Sequence, residues 1–161
     1  MLDGWQSVGG AWYWLGGFGD GAMRTGWEKV GGSWYWFDDS GAMATGWRQA
    51  GGSWYLLAGS GAMLTGWQSV GGAWYWLDGG GAMATGWLKL GGAWYYLRGS
   101  GAMASGWFQV GDAWYYADAS GAMAHDRWVG DYYLTSSGVM ATSRRVGSYW
   151  VGNDGKWVPG V

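Results

Sequence analysis

The sequence repeats itself every twenty residues, and that period constrains the fold more than any other feature. Met23, Met43, Met63, Met83, Met103 and Met123 stand twenty residues apart, each in Gly-Ala-Met, and each of the first five is followed four residues later by the Trp of a Gly-Trp pair. A second aromatic cluster, such as Trp34-Tyr35-Trp36 or Trp74-Tyr75-Trp76, begins seven residues after that Trp. A period near twenty marks a stacked array in which each unit buries its apolar face against its neighbours, so no unit is expected to fold alone. The first interval is two residues longer, because Leu15-Gly16-Gly17-Phe18-Gly19-Asp20 stands where the next unit has Phe37-Asp38-Asp39-Ser40.

Within a unit the pattern is that of a β-hairpin. A strand from Trp27 to Val30, a Gly31-Gly32 turn and a return strand from Ser33 to Phe37 fit the tight turns that need positive φ at both central residues. Helix is disfavoured, since glycine recurring about every fifth residue costs ~1 kcal/mol each in a helix interior. Pairing across the turn sets Val30 against Ser33, Lys29 against Trp34, Glu28 against Tyr35 and Trp27 against Trp36. Alternation then places Trp27, Lys29, Trp34 and Trp36 on one face, and Glu28, Val30, Tyr35 and Phe37 on the other. The Val30, Tyr35 and Phe37 positions recur as Val8, Tyr13 and Leu15, as Val70, Tyr75 and Leu77, and as Leu90, Tyr95 and Leu97, which reads as packed interior. The Trp face always carries an intervening polar residue (Ser7, Lys29, Gln49, Ser69, Lys89, Gln109) and is expected to be half open. Between hairpins, Asp, Ser and Gly favour turns, and Met is a flexible filler for the junction.

The chemistry on offer is narrow. His125 is the only histidine, Glu28 the only glutamate, and there is no cysteine, so catalysis, disulfides and thiolate metal sites are not expected. The aspartates fall mostly in turns, where backbone hydrogen bonding is their usual task. Asp38-Asp39 becomes Arg98-Gly99 in the fifth of the six regular units, a substitution that a calcium site does not allow. A net charge of -2 gives no basic footprint for nucleic acid, and no apolar run is long enough for membrane insertion. Met1-Leu2-Asp3-Gly4 lacks the basic and apolar regions of a signal peptide. No cofactor is expected.

What abounds is ring surface, with 18 Trp among 161 residues. Two ligand types exploit it: quaternary ammonium ions, held by cation–π attraction with no acceptor required, and sugars, which stack but also need polar partners. Asn153 is the only asparagine and no acidic residue recurs on the Trp face, which favours the cation. Paired tryptophans such as Trp47 and Trp54 share their face with Gln49 and lie opposite the best core positions, so burial alone does not account for them.

Residues 1–124 read as six regular repeats and 125–161 as degenerate repeats forming a cap or dimerisation segment. In the seventh unit Asp131 stands where the second Trp should be, and in the eighth Arg144 reads as the Gly-Trp position. Tyr132, Tyr133, Tyr149 and Trp150 keep apolar surface that must be buried somewhere. Atypical end units stop further stacking.

Gly-Trp, a spacer, Trp-Tyr-Tyr and Gly-Ala-Met-Ala-Thr-Gly-Trp closely resemble the choline-binding repeats of Gram-positive surface proteins, autolysins and phage lysins, over residues 4 to about 124 and weakly beyond. The resemblance implies a left-handed β-solenoid with choline between consecutive hairpins. Carried over, it implies cages of Trp5, Trp12 and Tyr35; Trp27, Trp34 and Tyr55; Trp47, Trp54 and Tyr75; Trp67, Trp74 and Tyr95; Trp87, Trp94 and Tyr115; and Trp107, Trp114 and Tyr132. Trp36 rivals Tyr35 as the third wall, since alternation turns Tyr35 inward. Beyond the sixth cage the pattern is expected to fail, with Asp131 and Arg144 removing two walls. The implied function is a secreted, non-catalytic cell-wall module that holds choline or phosphocholine of teichoic or lipoteichoic acid, with a glucan- or glycan-binding module as the alternative. The degenerate C-terminal segment itself, rather than the resemblance, is what offers a homodimer contact, and the repeats read as an anchoring module by itself.

Overall fold

Each glycine pair turns the chain back on itself as expected. In a computed structural model that describes residues 2–16 and 21–160, Gly31 and Gly32 have φ of 57° and 88°. Both central residues of the turn thus occupy the left-handed region, the geometry that matches a two-residue turn to the twist of its strands. The observed register is the one the sequence predicts: Trp27↔Trp36, Glu28↔Tyr35, Lys29↔Trp34 and Val30↔Ser33, with Gly26↔Phe37 added at the open end.

The fold is all-β, and the described residues form two compact units, Met1–Ala84 and Thr85–Val161. The first holds hairpin 1 (Gly4–Val8, Ala11–Leu15), hairpin 2 (Gly26–Val30, Ser33–Phe37), hairpin 3 (Gly46–Ala50, Ser53–Leu57) and hairpin 4 (Gly66–Val70, Ala73–Leu77). The second holds hairpin 5 (Gly86–Leu90, Ala93–Leu97), hairpin 6 (Gly106–Val110, Ala113–Ala117), hairpin 7 (Arg127–Val129, Tyr132–Leu134) and hairpin 8 (Arg144–Val146, Tyr149–Val151). Hairpins 1 to 7 are each a separate two-stranded sheet, and hairpin 8 gains a third strand, Trp157–Val158. The longer first linker was the one irregularity in the early spacing, and its residues 17–20 lie outside the described residues.

The core runs along the last position of each return strand. Phe37, Leu57 and Leu77 are buried in the first unit, and Leu97, Ala117, Leu134 and Val151 in the second. Each except Val151 pairs through its backbone with the next linker Met, as in Phe37↔Met43 and Leu57↔Met63. The same Met reaches back one hairpin further: Met43 N–H donates to the Trp12 carbonyl (2.7 Å) and Met63 N–H to the Trp34 carbonyl (2.8 Å). Hydrogen bonds between successive hairpins therefore pass through the linker. Gly61 shows why the residue two before Met is glycine. Its φ is 84°, and a Cβ there would run into the side chain of Met43.

Val8, expected in the packed interior, is instead 64% exposed. Within the first unit the interior face of a hairpin lies against the Trp face of the preceding one, as Tyr35 and Phe37 lie against Trp5, and Val8 stands on hairpin 1 without such a neighbour among the described residues.

The linker aspartates do the turn-forming work expected of them. Asp38 Oδ1 accepts from Ser40 N–H (2.8 Å), Ser40 Oγ–H (2.6 Å) and Ala42 N–H (3.1 Å), and Asp118 repeats the pattern with Ser120 and Ala122. The serine hydroxyl in each case holds the carboxyl below its ordinary value, helped by the backbone amides. A lowered folded pKa contributes stability that is complete above the unfolded carboxyl's value and is lost as pH falls through the folded one. Acidifying below about pH 4 should therefore lower the melting temperature of the native chain more steeply than that of the double variant Asp38→Asn, Asp118→Asn. Parallel acid slopes for the two proteins would remove these turns from the account.

Candidate aromatic cages

The stacking brings the Trp face of one hairpin against the Tyr of the next. Trp5 and Tyr35 lie 4.9 Å apart between ring centroids, Trp27 and Tyr55 4.8 Å, and Trp47 and Tyr75 5.0 Å. In the second unit Trp87 and Tyr115 are 4.8 Å apart, and Trp107 and Tyr132 5.1 Å. These are edge-to-face pairs, each joining two hairpins. The second Trp of the hairpin stands across the corner: Trp12 is 6.3 Å from Trp5 at 85°, and Trp94 is 6.4 Å from Trp87 at 88°. Trp12, Trp34, Trp54, Trp74, Trp94 and Trp114 are all exposed, the polar-flanked face that alternation left open.

The structure thus brings together all three predicted residues at Trp5, Trp87 and Trp107, and the Trp–Tyr pair of the sets of Trp27 and Trp47. Of the remaining set, Trp67 and Trp74 stand on hairpin 4 of the first unit and Tyr95 on hairpin 5 of the second. Trp36, the rival third wall, lies against Trp27 of its own hairpin at 5.3 Å, while Tyr35 takes the place beside Trp5. An inward-facing Tyr and a wall Tyr are the same residue, because inward for one hairpin means toward the Trp face of its predecessor.

The linker Met completes the floor. A cavity of about 350 Å³ is lined by Trp87, Trp94, Tyr115, Met123 and Ser137, and one of about 410 Å³ by Trp107, Trp114, Tyr132, Met140 and Asp154. Met123 N–H donates to the Trp94 carbonyl and Met140 N–H to the Trp114 carbonyl, each at 2.8 Å. Met43, Met63 and Met83 make the same backbone bonds to the carbonyls of Trp12, Trp34 and Trp54. Three rings and a thioether make an electron-rich corner suited to a soft, poorly hydrated cation, and at the Trp107 corner Asp154 adds an acidic residue to the lining. The stack already uses its rings this way, since the Arg48 guanidinium lies 5.7 Å from the Trp36 ring centroid, and Lys29 and Lys89 approach Trp34 and Trp94 at 6.0 and 5.6 Å. Among the described residues no three His, Asp or Glu side chains gather as a metal site requires. His125 is exposed and meets Asp126 at 3.0 Å.

One register expectation is corrected. Arg145, not Arg144, occupies the Gly-Trp position of hairpin 8, because Arg145 pairs with Trp150 as Trp27 pairs with Trp36. The link from Met to that position is one residue longer in hairpins 7 and 8, and the extra residue is absorbed at Asp126 and Ser143, whose φ values are 49° and 46°. Asp and Ser are short, and Asp tolerates the left-handed region better than most residues. Asp131 does stand where the second Trp would be: it precedes the wall residue Tyr132, and its carbonyl accepts from Trp157 N–H (2.8 Å) as the Trp34 carbonyl accepts from Met63.

Comparison with known proteins agrees with this geometry. A choline-binding repeat description matches residues 24–65, 64–108 and 89–128, a second choline-binding repeat description matches 122–157, and a cell wall binding repeat description matches 3–23. No curated protein sequence matches the chain. Among solved structures, choline binding protein F from Streptococcus pneumoniae is 41% identical over 98% of this chain and 57% of its own, with a TM-score of 0.90. CbpJ from the same species is 42% identical over 98% of this chain and 58% of its own, with a TM-score of 0.91. The choline-binding domain of CbpL, also from S. pneumoniae, is 34% identical, with 98% of each chain covered and a TM-score of 0.69. This chain therefore spans a little over half the length of the first two relatives and nearly all of the third. With repeat matches across most of its length and these structural relatives, the chain belongs to the choline-binding repeat family.

Proposed function

We propose that this module holds the trimethylammonium group of choline between consecutive hairpins by cation–π attraction, and that it anchors to choline-bearing teichoic or lipoteichoic acid of the Gram-positive cell wall. The observation that carries the reading is the repeated corner: a Trp within 4.8–5.1 Å of the next hairpin's Tyr, in five copies. An exposed second Trp flanks each of these pairs. The module binds and does not catalyse. The degenerate repeats after residue 124 serve as a cap, with Val151 of hairpin 8 buried and paired to Trp157 of the third strand.

Each ring contributes about 1–2 kcal/mol at best, and the costs of association leave a single site near millimolar, about -4 kcal/mol. Strength comes from number, since a polymer displaying many choline groups meets several cages at once.

Choline in the millimolar range should shift or quench Trp emission and raise the melting temperature, because a ligand bound only by the stacked state stabilises it. Glucose oligomers at the same concentration should do neither. Stabilisation by the glucan with no response to choline would replace this reading with a glycan-binding one.

A further inference from the structure

The C-terminal end contains a ring cluster that the cage pattern does not assign. Hairpin 7 has lost its second Trp to Asp131, and hairpin 8 offers Arg145 where a first Trp would stand. Yet Trp128 of hairpin 7 lies 5.8 Å from Tyr149 of hairpin 8 at 84°, the pairing that joins Trp and next-hairpin Tyr elsewhere. A third ring, Trp157, lies 6.0 Å from Tyr149 at 86°. Trp157 holds the backbone place of a linker Met: it pairs with Val151 as Met63 pairs with Leu57, and its N–H donates to the Asp131 carbonyl as Met63 donates to Trp34. The final strand therefore returns a Trp to the corner from which hairpin 7 has lost one.

Trp128, Gly130, Asp131, Tyr149 and Trp157 line a cavity of about 300 Å³. Tyr149 and Trp157 are exposed, as the open walls of the other cages are. Asp131 is exposed too, and among the described residues no cationic side chain pairs with its carboxylate. Three rings around a cavity that the acidic residue Asp131 also lines are complementary to a cation. The carboxylate also changes which cation fits best. A quaternary ammonium presents only C–H groups, whereas a protonated tertiary, secondary or primary amine offers an N–H that a carboxylate accepts in a charge-assisted hydrogen bond.

We propose that this cluster is a seventh cation site, selective for ammonium groups that carry an N–H over trimethylammonium. The proposal rests on the reading that the regular cages bind cations. The test uses the full chain, with the indole N–H resonances of its tryptophans assigned by NMR and titrated separately with choline and with protonated N,N-dimethylethanolamine. The resonances of Trp128 and Trp157 should move with both, at least about threefold more tightly with the dimethyl amine. Asp131→Asn, an exposed and isosteric change, should abolish that preference while leaving the titrations of Trp27 and Trp34 unaltered. Shifts at Trp27 and Trp34 with none at Trp128 and Trp157 overturn this site alone. Equal affinities for the two amines at Trp157, or a preference that survives in Asp131→Asn, overturn its selectivity. No shift anywhere with either amine overturns this site together with the function on which it rests.

Discussion

Phe37→Ala should lower the unfolding free energy by about 3–5 kcal/mol, whereas Trp34→Ala, three residues earlier on the same strand, should cost about 1 kcal/mol or less. Phe37 is fully buried, its ring 5.8 Å from that of Trp5 in the preceding hairpin, and it stands at the position whose counterparts Leu57 and Leu77 are buried as well. Removing it leaves a cavity between stacked hairpins that the short strands cannot close. Trp34 is 41% exposed and contributes an open wall. Urea unfolding followed by circular dichroism measures both, with the midpoint compared as well as the slope, since repeat arrays can unfold in parts. A larger loss for Trp34→Ala than for Phe37→Ala would reverse the assignment of the two faces.

The triple variant Trp12→Ala, Trp34→Ala and Trp54→Ala should bind a choline-bearing polymer on the order of 100-fold more weakly, or worse, while the remaining cages keep their millimolar affinity for free choline. Each substitution removes an exposed wall from a different cage of the first unit and leaves the buried column of Phe37, Leu57 and Leu77 in place. Affinity for the polymer depends on how many cages are engaged together, so removing three has an effect far larger than the loss of one cage. Surface plasmon resonance on immobilised choline polymer, set beside calorimetry with free choline, separates the two quantities. A polymer affinity that falls only in proportion to the number of cages would show that the sites act singly.

Local geometry was readable from residue order because it depends on neighbours in sequence. Gly31-Gly32 fixed the turn, the turn fixed the pairing, and alternation separated Trp34 from Tyr35 and Phe37. What alternation could not supply is the direction of stacking. Tyr35 is inward within its own hairpin and yet a wall for Trp5, a relation that exists only once hairpin 2 lies against the open face of hairpin 1. The exposure of Val8 follows from the same directionality. At the C-terminus the regular spacing lapses, and the roles of Arg145 and Trp157 became visible only through backbone pairing. A Trp substituting for a Met breaks the repeat in residue type, although Trp157 keeps the Met spacing, six residues after Val151 as Met63 is after Leu57 and two after Gly155 as in Gly-Ala-Met.

The claim that the ring corners are cation sites is tested most directly by diffraction from crystals grown in choline, with a glucan oligosaccharide offered in parallel. The account predicts a trimethylammonium group within about 6 Å of the ring centroids in the corner formed by Trp27, Trp34 and Tyr55, repeated at Trp47, Trp54 and Tyr75 and at Trp87, Trp94 and Tyr115. Choline bound only outside these corners, or corners filled by the oligosaccharide and not by choline, would contradict it.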